Sequence, residues 1–174
     1  LSEPLRQLAG NVLDASDQIE AEVVRVARQA AVLDQLLFIG ASIRDPQVRR
    51  RLRDADAGAH VACLANTPAH LAAALADQDS DWVYFRYIPV ATELARVRQR
   101  GKRAFIAGSV VSGRERTNWR RAIYAGIDAI LTDYPMELAD LRRNRAEWSG
   151  AGSAPDLAGD TLAYGNAADV QVDA

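Results

Sequence analysis

The 174-residue sequence lacks the features that several classes of protein require. Its single cysteine, Cys63, excludes an internal disulfide. No stretch approaches the ~18 consecutive apolar residues of a membrane-spanning helix, and residues 1–10 lack the apolar core of a signal peptide. The 21 lysines and arginines do not outnumber the 23 aspartates and glutamates, so the basic footprint of a nucleic-acid-binding protein is missing. We therefore expect no membrane span and no nucleic-acid partner, whereas the compartment is not decided.

Acidic residues are concentrated at the end of the chain. Every charged residue after Arg145 is acidic: Glu147, Asp156, Asp160, Asp169 and Asp173. Since the whole chain has a net charge of -2 and these five residues carry -5, residues 1–145 carry +3. This mildly basic part of the chain weakly favours a phosphate-bearing substrate. Large apolar residues are also scarce after Trp148. We predict a domain over residues 1–145 and a disordered acidic tail over 146–174.

The most informative stretch is 126–135, which reads Gly-Ile-Asp-Ala-Ile-Leu-Thr-Asp-Tyr-Pro. Its apolar run is short, β-branched and bounded by a glycine and a proline, which predicts a buried strand between two helices, 118–125 and 136–145. In a parallel sheet, polar residues at the carboxyl end of a strand face the side where α/β proteins bind ligands. Thr132 and Asp133 occupy that position here.

Four similar units precede this one. Each begins with a short apolar run, and we predict these strands at 36–41, 59–65, 81–85 and 102–107. Capping residues and prolines then open helices over 46–56, 66–76 and 89–100, while a further helix over 17–33 precedes the first strand. A helix after every strand predicts parallel neighbours joined by right-handed crossovers.

The stretch 125–135 resembles the last strand of the glycerophosphodiester phosphodiesterase family. That strand usually reads glycine, an aliphatic residue, Asp-Gly, aliphatic residues, then Thr-Asp and a proline two residues on; Ala129 replaces the second glycine here. The family resembles the phosphatidylinositol-specific phospholipases C in fold. The resemblance implies an α/β fold in which parallel βα units form the C-terminal five strands of a TIM-type (β/α)8 barrel, with the N-terminal strands absent. A full barrel needs ~250 residues, and the chain begins with Leu1, so we expect truncation of a longer chain.

The resemblance covers roughly residues 17–145, strongly only at 119–141. Residues 37–42 resemble the family strand that ends in Ser-Phe, although Ile43 takes the place of the phenylalanine and Arg44 that of a frequent aspartate. The strand over 102–107 lacks the tryptophan that the family presents there.

The residues that carry the family's chemistry are missing. The family places a His-Arg-Gly, a Glu-x-Asp, a further histidine and a glutamate on its first three strands. Neither His60 nor His70 is followed by Arg-Gly, and the chain contains no Glu-x-Asp. Hydrolysis by this route needs paired histidines and carboxylates that hold a divalent cation, calcium or magnesium. We expect this chain alone to be inactive, its two histidines to be structural or solvated, and the cation's ligands to lie elsewhere.

Five polar residues at or after predicted strand ends are candidates for binding the phosphate of a small phosphodiester substrate: Ser42, Arg44, Arg86, Ser109 and Asp133. Arginine grips phosphate with two parallel hydrogen bonds, and the loops after the last strands of barrels often hold phosphate. Plainer alternatives stay open. The arginines could form salt bridges or stay solvated, the serine could belong to a flexible connector, and the aspartate could cap the next helix or bind metal.

Two other architectures stay open. A complete, non-enzymatic half-barrel would bind a phosphorylated ligand or pair with another chain, because open sheet edges favour self-association. An open doubly wound α/β domain would carry helices on both faces of its sheet, whereas a barrel carries them only outside.

Overall fold

The computed structural model describes residues 19–114 and 116–144. The predicted acidic tail therefore lies outside the described residues. Five strands form one parallel sheet, in which spatial order follows chain order: β1 (Leu37–Phe38), β2 (His60–Ala65), β3 (Trp82–Phe85), β4 (Arg103–Ile106) and β5 (Ala129–Ile130). The helices of the described residues are α1 (19–29), α2 (Pro46–Ala55), α3 (Leu71–Ala76), α4 (Ala91–Gln99), α5 (Ser109–Ser112), α6 (Arg116–Ala125) and α7 (Pro135–Arg143). None of these helices is long and apolar enough to cross a bilayer.

Successive side chains of each strand point to opposite faces of the sheet, and the two faces have different partners. On β2, Cys63 and Ala65 pack against α3, α4 and α6 in the main hydrophobic core. Ala62 and Leu64, on the other face, belong to a smaller cluster built from the strands and the turn at Ala41–Ile43. Among the described residues, none from α1 to α7 belongs to that cluster. The doubly wound alternative is therefore wrong.

The five parallel strands form a curled half-barrel with helices on its outside, as in part of a TIM-type barrel. The predicted fold class is confirmed. The outer core is closed by large side chains with almost no exposed surface: Phe85, Leu71, Leu94, Ile106 and Trp119. A second outer cluster joins α1 and α2 to the first strands through Val24, Ala27, Leu52 and Val61.

Local geometry confirms two of the predicted helix ends, the start of α2 and the end of α6. Asp45 caps α2, and its Oδ1 accepts a hydrogen bond of 2.8 Å from the backbone N–H of Gln47. Gly126 follows α6 with φ +91°, a conformation that favours glycine. A Cβ at this position would also lie 2.9 Å from Nη2 of Arg98. The turn therefore favours glycine at position 126, whereas the mobile tip of the Arg98 side chain could shift to make room for a Cβ.

Three details of the sequence-based prediction are wrong. Only Leu37–Phe38 of the predicted strand over 36–41 pairs with β2, because a 3-10 turn at Ala41–Ile43 begins soon afterwards. The loop after β4 contains the short helix α5. Asp133 does not cap α7, since the N-cap residue is Tyr134 and no side chain makes a capping bond there.

Candidate functional site

The carboxyl ends of the five strands meet at one edge of the half-barrel, and the polar residues that follow them lie along this edge. The best-defined group lies at the end of β3. Nε of Arg86 donates a 3.3 Å hydrogen bond to the hydroxyl of Tyr84. The guanidinium carbon also lies 5.7 Å from the centroid of the Tyr84 ring. Since the Arg86 side chain is exposed, its remaining N–H groups can bind an anion.

The Tyr84 ring is held in place by an aromatic side chain of the neighbouring strand. It stacks on Phe105 of β4 with 4.7 Å between ring centroids and 18° between ring planes. Both rings are buried on the inner face of the half-barrel. The aromatic stack therefore holds the Tyr84 hydroxyl, and through it Arg86, at the carboxyl edge of the sheet.

Gly108 lies beside this pair. Its φ of +94° favours glycine, and a Cβ at this position would lie 3.8 Å from the Tyr84 hydroxyl and 4.0 Å from Cγ of Arg86. Ser109, the next residue, begins α5 and is exposed. The structure thus brings the loop after β4 close to the end of β3. Two predicted binding residues, Ser109 and Arg86, therefore lie on neighbouring segments of the carboxyl edge.

The other predicted residues have different environments. Ser42 is buried, and its hydroxyl donates a 3.0 Å hydrogen bond to the carbonyl of Phe38. Arg44 is exposed at the far side of the edge, and its side chain has no ion-pair or hydrogen-bond partner among the described residues. Asp133 is exposed, while the neighbouring Thr132 accepts a hydrogen bond from the N–H of Tyr134. The structure does not test phosphate binding by any of these residues, so their binding roles stay predictions.

A cavity of about 430 Å³ lies near Arg44, between α2 and α3. Arg44 lines it together with Asn66 and His70, two residues that were not among the candidates. Asn66 directly follows β2, which is the same positional signal that marked Arg86 after β3. No such signal marks His70 in the sequence, because this residue does not directly follow a strand. It reaches the cavity at the end of the 3-10 turn Pro68–His70.

The opposite, amino edge of the sheet is held by aspartates. Nδ1 of His60 lies 2.5 Å from Oδ2 of Asp81, whose other oxygen accepts a 2.7 Å hydrogen bond from the N–H of Val61. Asp128, part of the motif that suggested the family, accepts a 2.8 Å hydrogen bond from the N–H of Ala104. His60 and Asp128 therefore stabilise the amino edge of the sheet, away from the carboxyl edge.

A buried polar network connects α2, α3 and β4. Nε of Arg49 donates a 3.0 Å hydrogen bond to Oδ2 of Asp77, and Nη1 of Arg49 donates a 2.6 Å bond to the carbonyl of Ser42. Lys102 donates to the carbonyls of Asp77 and Ser80. Burial lowers the pKa of Lys102. Burial of Asp77 raises its pKa, but the hydrogen bond and positive charge of Arg49, the hydrogen bond from Ser80 and the charge of Lys102 together outweigh burial, so the pKa of Asp77 lies below its ordinary value.

Cys63 belongs to the same network and is buried. Burial raises the pKa of its thiol, which donates to the carbonyl of Ala74 and accepts a hydrogen bond from the hydroxyl of Ser80. A thiol held in its protonated form is a poor nucleophile, so Cys63 is a packing residue.

The described residues do not fit a divalent cation. Among them, no group of three or more histidine, cysteine, aspartate or glutamate side chains is arranged to hold a metal ion. A calcium or magnesium ion needs several oxygen ligands. The described part of the chain therefore offers no site for the cation that the family resemblance implies.

Comparison with known proteins agrees with this architecture. No family model matches the chain, and no curated protein matches it by sequence. A solved structure described as "Putative glycerophosphoryl diester phosphodiesterase" from Silicibacter pomeroyi DSS-3 is similar in fold, with a TM-score of 0.62. The two sequences are 15% identical, and the similarity covers 84% of this chain and 49% of that protein. The likeness shows the fold alone, and the chain spans about half the length of its neighbour.

Proposed function

We propose that this chain is the C-terminal portion of a phosphoric diester hydrolase of the glycerophosphodiester phosphodiesterase type. In this proposal the whole barrel hydrolyses a small glycerophosphodiester from lipid metabolism with the help of calcium or magnesium. The present chain contributes the barrel wall and phosphate contacts, while the catalytic histidines and the metal-binding carboxylates lie elsewhere. The observation that carries the proposal is the position of Arg86, Tyr84 and Gly108 at the carboxyl edge of a half-barrel whose fold resembles that of the Silicibacter protein.

The chemistry of this edge supports phosphate binding rather than bond cleavage. The exposed guanidinium of Arg86 keeps donors in a planar fork that matches two phosphate oxygens. Its hydrogen bond to Tyr84 reduces the side-chain entropy that binding would otherwise cost. No histidine of the described residues lies in this group, so no side chain there is suited to transfer protons near neutral pH.

Replacing Arg86 with glutamine is expected to weaken the binding of glycerophosphocholine about tenfold, because a charge-assisted bidentate contact is lost. Isothermal titration calorimetry of the purified chain measures the change in Kd. Arg96→Gln, at an exposed position of α4, is the matched control and is expected to leave the Kd unchanged. If both substitutions weakened binding equally, the loss would come from the change in overall charge and the proposal would be contradicted. An unchanged Kd in Arg86→Gln would also contradict it.

A second candidate function is a non-catalytic half-barrel that pairs with another chain. The observation in its favour is that β1 and β5 each pair on one side only, among the described residues. Apolar side chains are exposed beside both strands, with Leu36 39% and Leu131 55% accessible. Sedimentation equilibrium distinguishes the two candidates: a dimer that Leu131→Asp dissociates favours pairing through the open edges, whereas a monomer that still binds glycerophosphocholine favours the first proposal.

A further inference from the structure

The cavity between α2 and α3 has the size and lining of a ligand site. Its volume of about 430 Å³ falls within the ~300–1,000 Å³ range of small-molecule pockets. Part of its wall is apolar and comes from Cys63, Leu64, Ala73 and Ala74. Polar side chains lie around the same space at a few positions, which is the usual composition of such pockets.

The charges around the cavity favour an anionic ligand. Arg49 and Asp77 both line it, but they neutralise each other in a buried ion pair, with side chains 8% and 13% exposed. The positive charge of Arg44 has no partner among the described residues. The lining therefore keeps one unpaired positive charge, and it belongs to a side chain that can move into contact with a ligand.

Two further hydrogen-bonding groups accompany Arg44. The side-chain amide of Asn66 is exposed and has no hydrogen-bond partner among the described residues. Nδ1 of His70 lies 3.2 Å from Oγ1 of Thr67. When this nitrogen accepts the threonine proton, Nε2 of His70 carries a proton that it can donate to a ligand. A guanidinium, an amide and an imidazole thus surround a cavity with an apolar wall.

We propose that this cavity binds a small organic phosphate, with the phosphate group held by Arg44, Asn66 and His70 and the organic part lying against Ala73 and Ala74. Donors from three separate side chains suit the several oxygens of a phosphate better than the two oxygens of a carboxylate. The site differs in its lining from the one at Arg86: neither Tyr84 nor Arg86 lines the cavity, and Cys63 and Ala74 of its wall belong to the outer core. The inference rests on the lining of this cavity and not on the group at Arg86, although Arg44 is also one of the residues predicted to bind phosphate in the hydrolase proposal.

The test uses phenyl phosphate as the probe, because it combines a phosphate with an apolar ring. Amide chemical shifts of the 15N-labelled chain locate the binding site, and calorimetry measures the Kd. We expect shifts at residues 44, 66 and 70, and binding about tenfold tighter than that of inorganic phosphate or benzoate, since each of these lacks one half of the contact.

Substitutions then test the residues of this cavity. Arg44→Gln is expected to raise the Kd for phenyl phosphate about tenfold, whereas Arg96→Gln, at an exposed position of α4, is expected to leave it unchanged. Ala73→Phe, which fills the cavity without changing charge, is expected to abolish binding. Arg44 and Ala73 are both exposed, so the fold is expected to survive their substitution.

Three results would each overturn the inference. One is an unchanged Kd in Arg44→Gln, and another is the absence of binding at millimolar phenyl phosphate. The third is a set of shifts confined to residues 84, 86 and 108, which would assign the ligand to the inner face. Because glycerophosphocholine binding is measured separately through Arg86→Gln, failure of this inference can be distinguished from failure of the proposed function.

Discussion

Replacing Asp77 with alanine is expected to destabilise the protein by about 3–5 kcal/mol, because the guanidinium of Arg49 would stay buried without its counter-ion. The Arg49 side chain, on α2, is 8% exposed and donates hydrogen bonds to Asp77 at the end of α3. The substitution also removes the bond that ties α2 to the end of α3. Urea denaturation followed by circular dichroism gives the change in the free energy of unfolding.

Two controls separate pairing from burial. Asp140→Ala breaks a pair with Arg143 that is more than half exposed on both sides, and it is expected to cost less than about 0.5 kcal/mol. The double variant Arg49→Met with Asp77→Leu removes both charges and keeps the volume, so it is expected to recover most of the loss. A loss below about 1 kcal/mol in Asp77→Ala would mean that the ion pair does not hold α2 against α3.

The same pair makes stability depend on pH. The pKa of Asp77 is lowered in the folded state, because the hydrogen bonds and positive charges around the carboxyl, mainly from Arg49, together outweigh the opposing effect of burial. A carboxyl with a depressed folded pKa contributes its stability above the unfolded pKa, about 3.9, and loses it as pH falls through the folded pKa. The difference in unfolding free energy between the native chain and Asp77→Ala should therefore shrink in acid.

Trp119→Ala is expected to cost about 3–5 kcal/mol, since it removes the largest fully buried side chain of the outer core. Trp119 lies on α6, and its indole Nε1 donates a 2.9 Å hydrogen bond to the carbonyl of Val111 in α5. The substitution leaves a cavity and also leaves this buried carbonyl without its partner. Thermal and urea unfolding measure the loss.

The matched variants divide this loss into packing and hydrogen bonding. Trp119→Phe keeps an aromatic ring and loses the N–H, so a smaller cost of about 1–3 kcal/mol is expected. Met136→Ala, at a position that is 69% exposed, should change stability by less than about 0.5 kcal/mol. If Trp119→Ala and Met136→Ala had equal effects, the packing of α6 against the sheet would be contradicted.

Much of the fold could be predicted from the sequence, because its signals are local. Asp45-Pro46 and Gly126 mark helix ends through backbone chemistry that needs no tertiary contact. Short apolar runs marked the strands for the same reason. The helix α5 was missed, since Ser-Val-Val-Ser is a single turn whose β-branched residues do not favour a helix.

Less of the candidate site could be predicted. Arg86 was found because it directly follows a strand and carries a charge that suits phosphate. Tyr84 was missed, because the alternation of a buried strand does not tell which face becomes the inside of the half-barrel. One cavity is lined by Arg44, Asn66 and His70 because of the way α2 and α3 pack. No local sequence pattern predicts how two helices pack against each other.

The most direct test of the central claim is a 31P NMR time course of glycerophosphocholine with the purified chain and calcium or magnesium. The account predicts that the diester resonance shifts on binding, that Arg86→Gln reduces this shift, and that no phosphomonoester signal appears, because the chain lacks paired catalytic histidines and a cation site among its described residues. Steady formation of a phosphomonoester by the chain alone, or a diester resonance that never responds to the protein, would contradict the account.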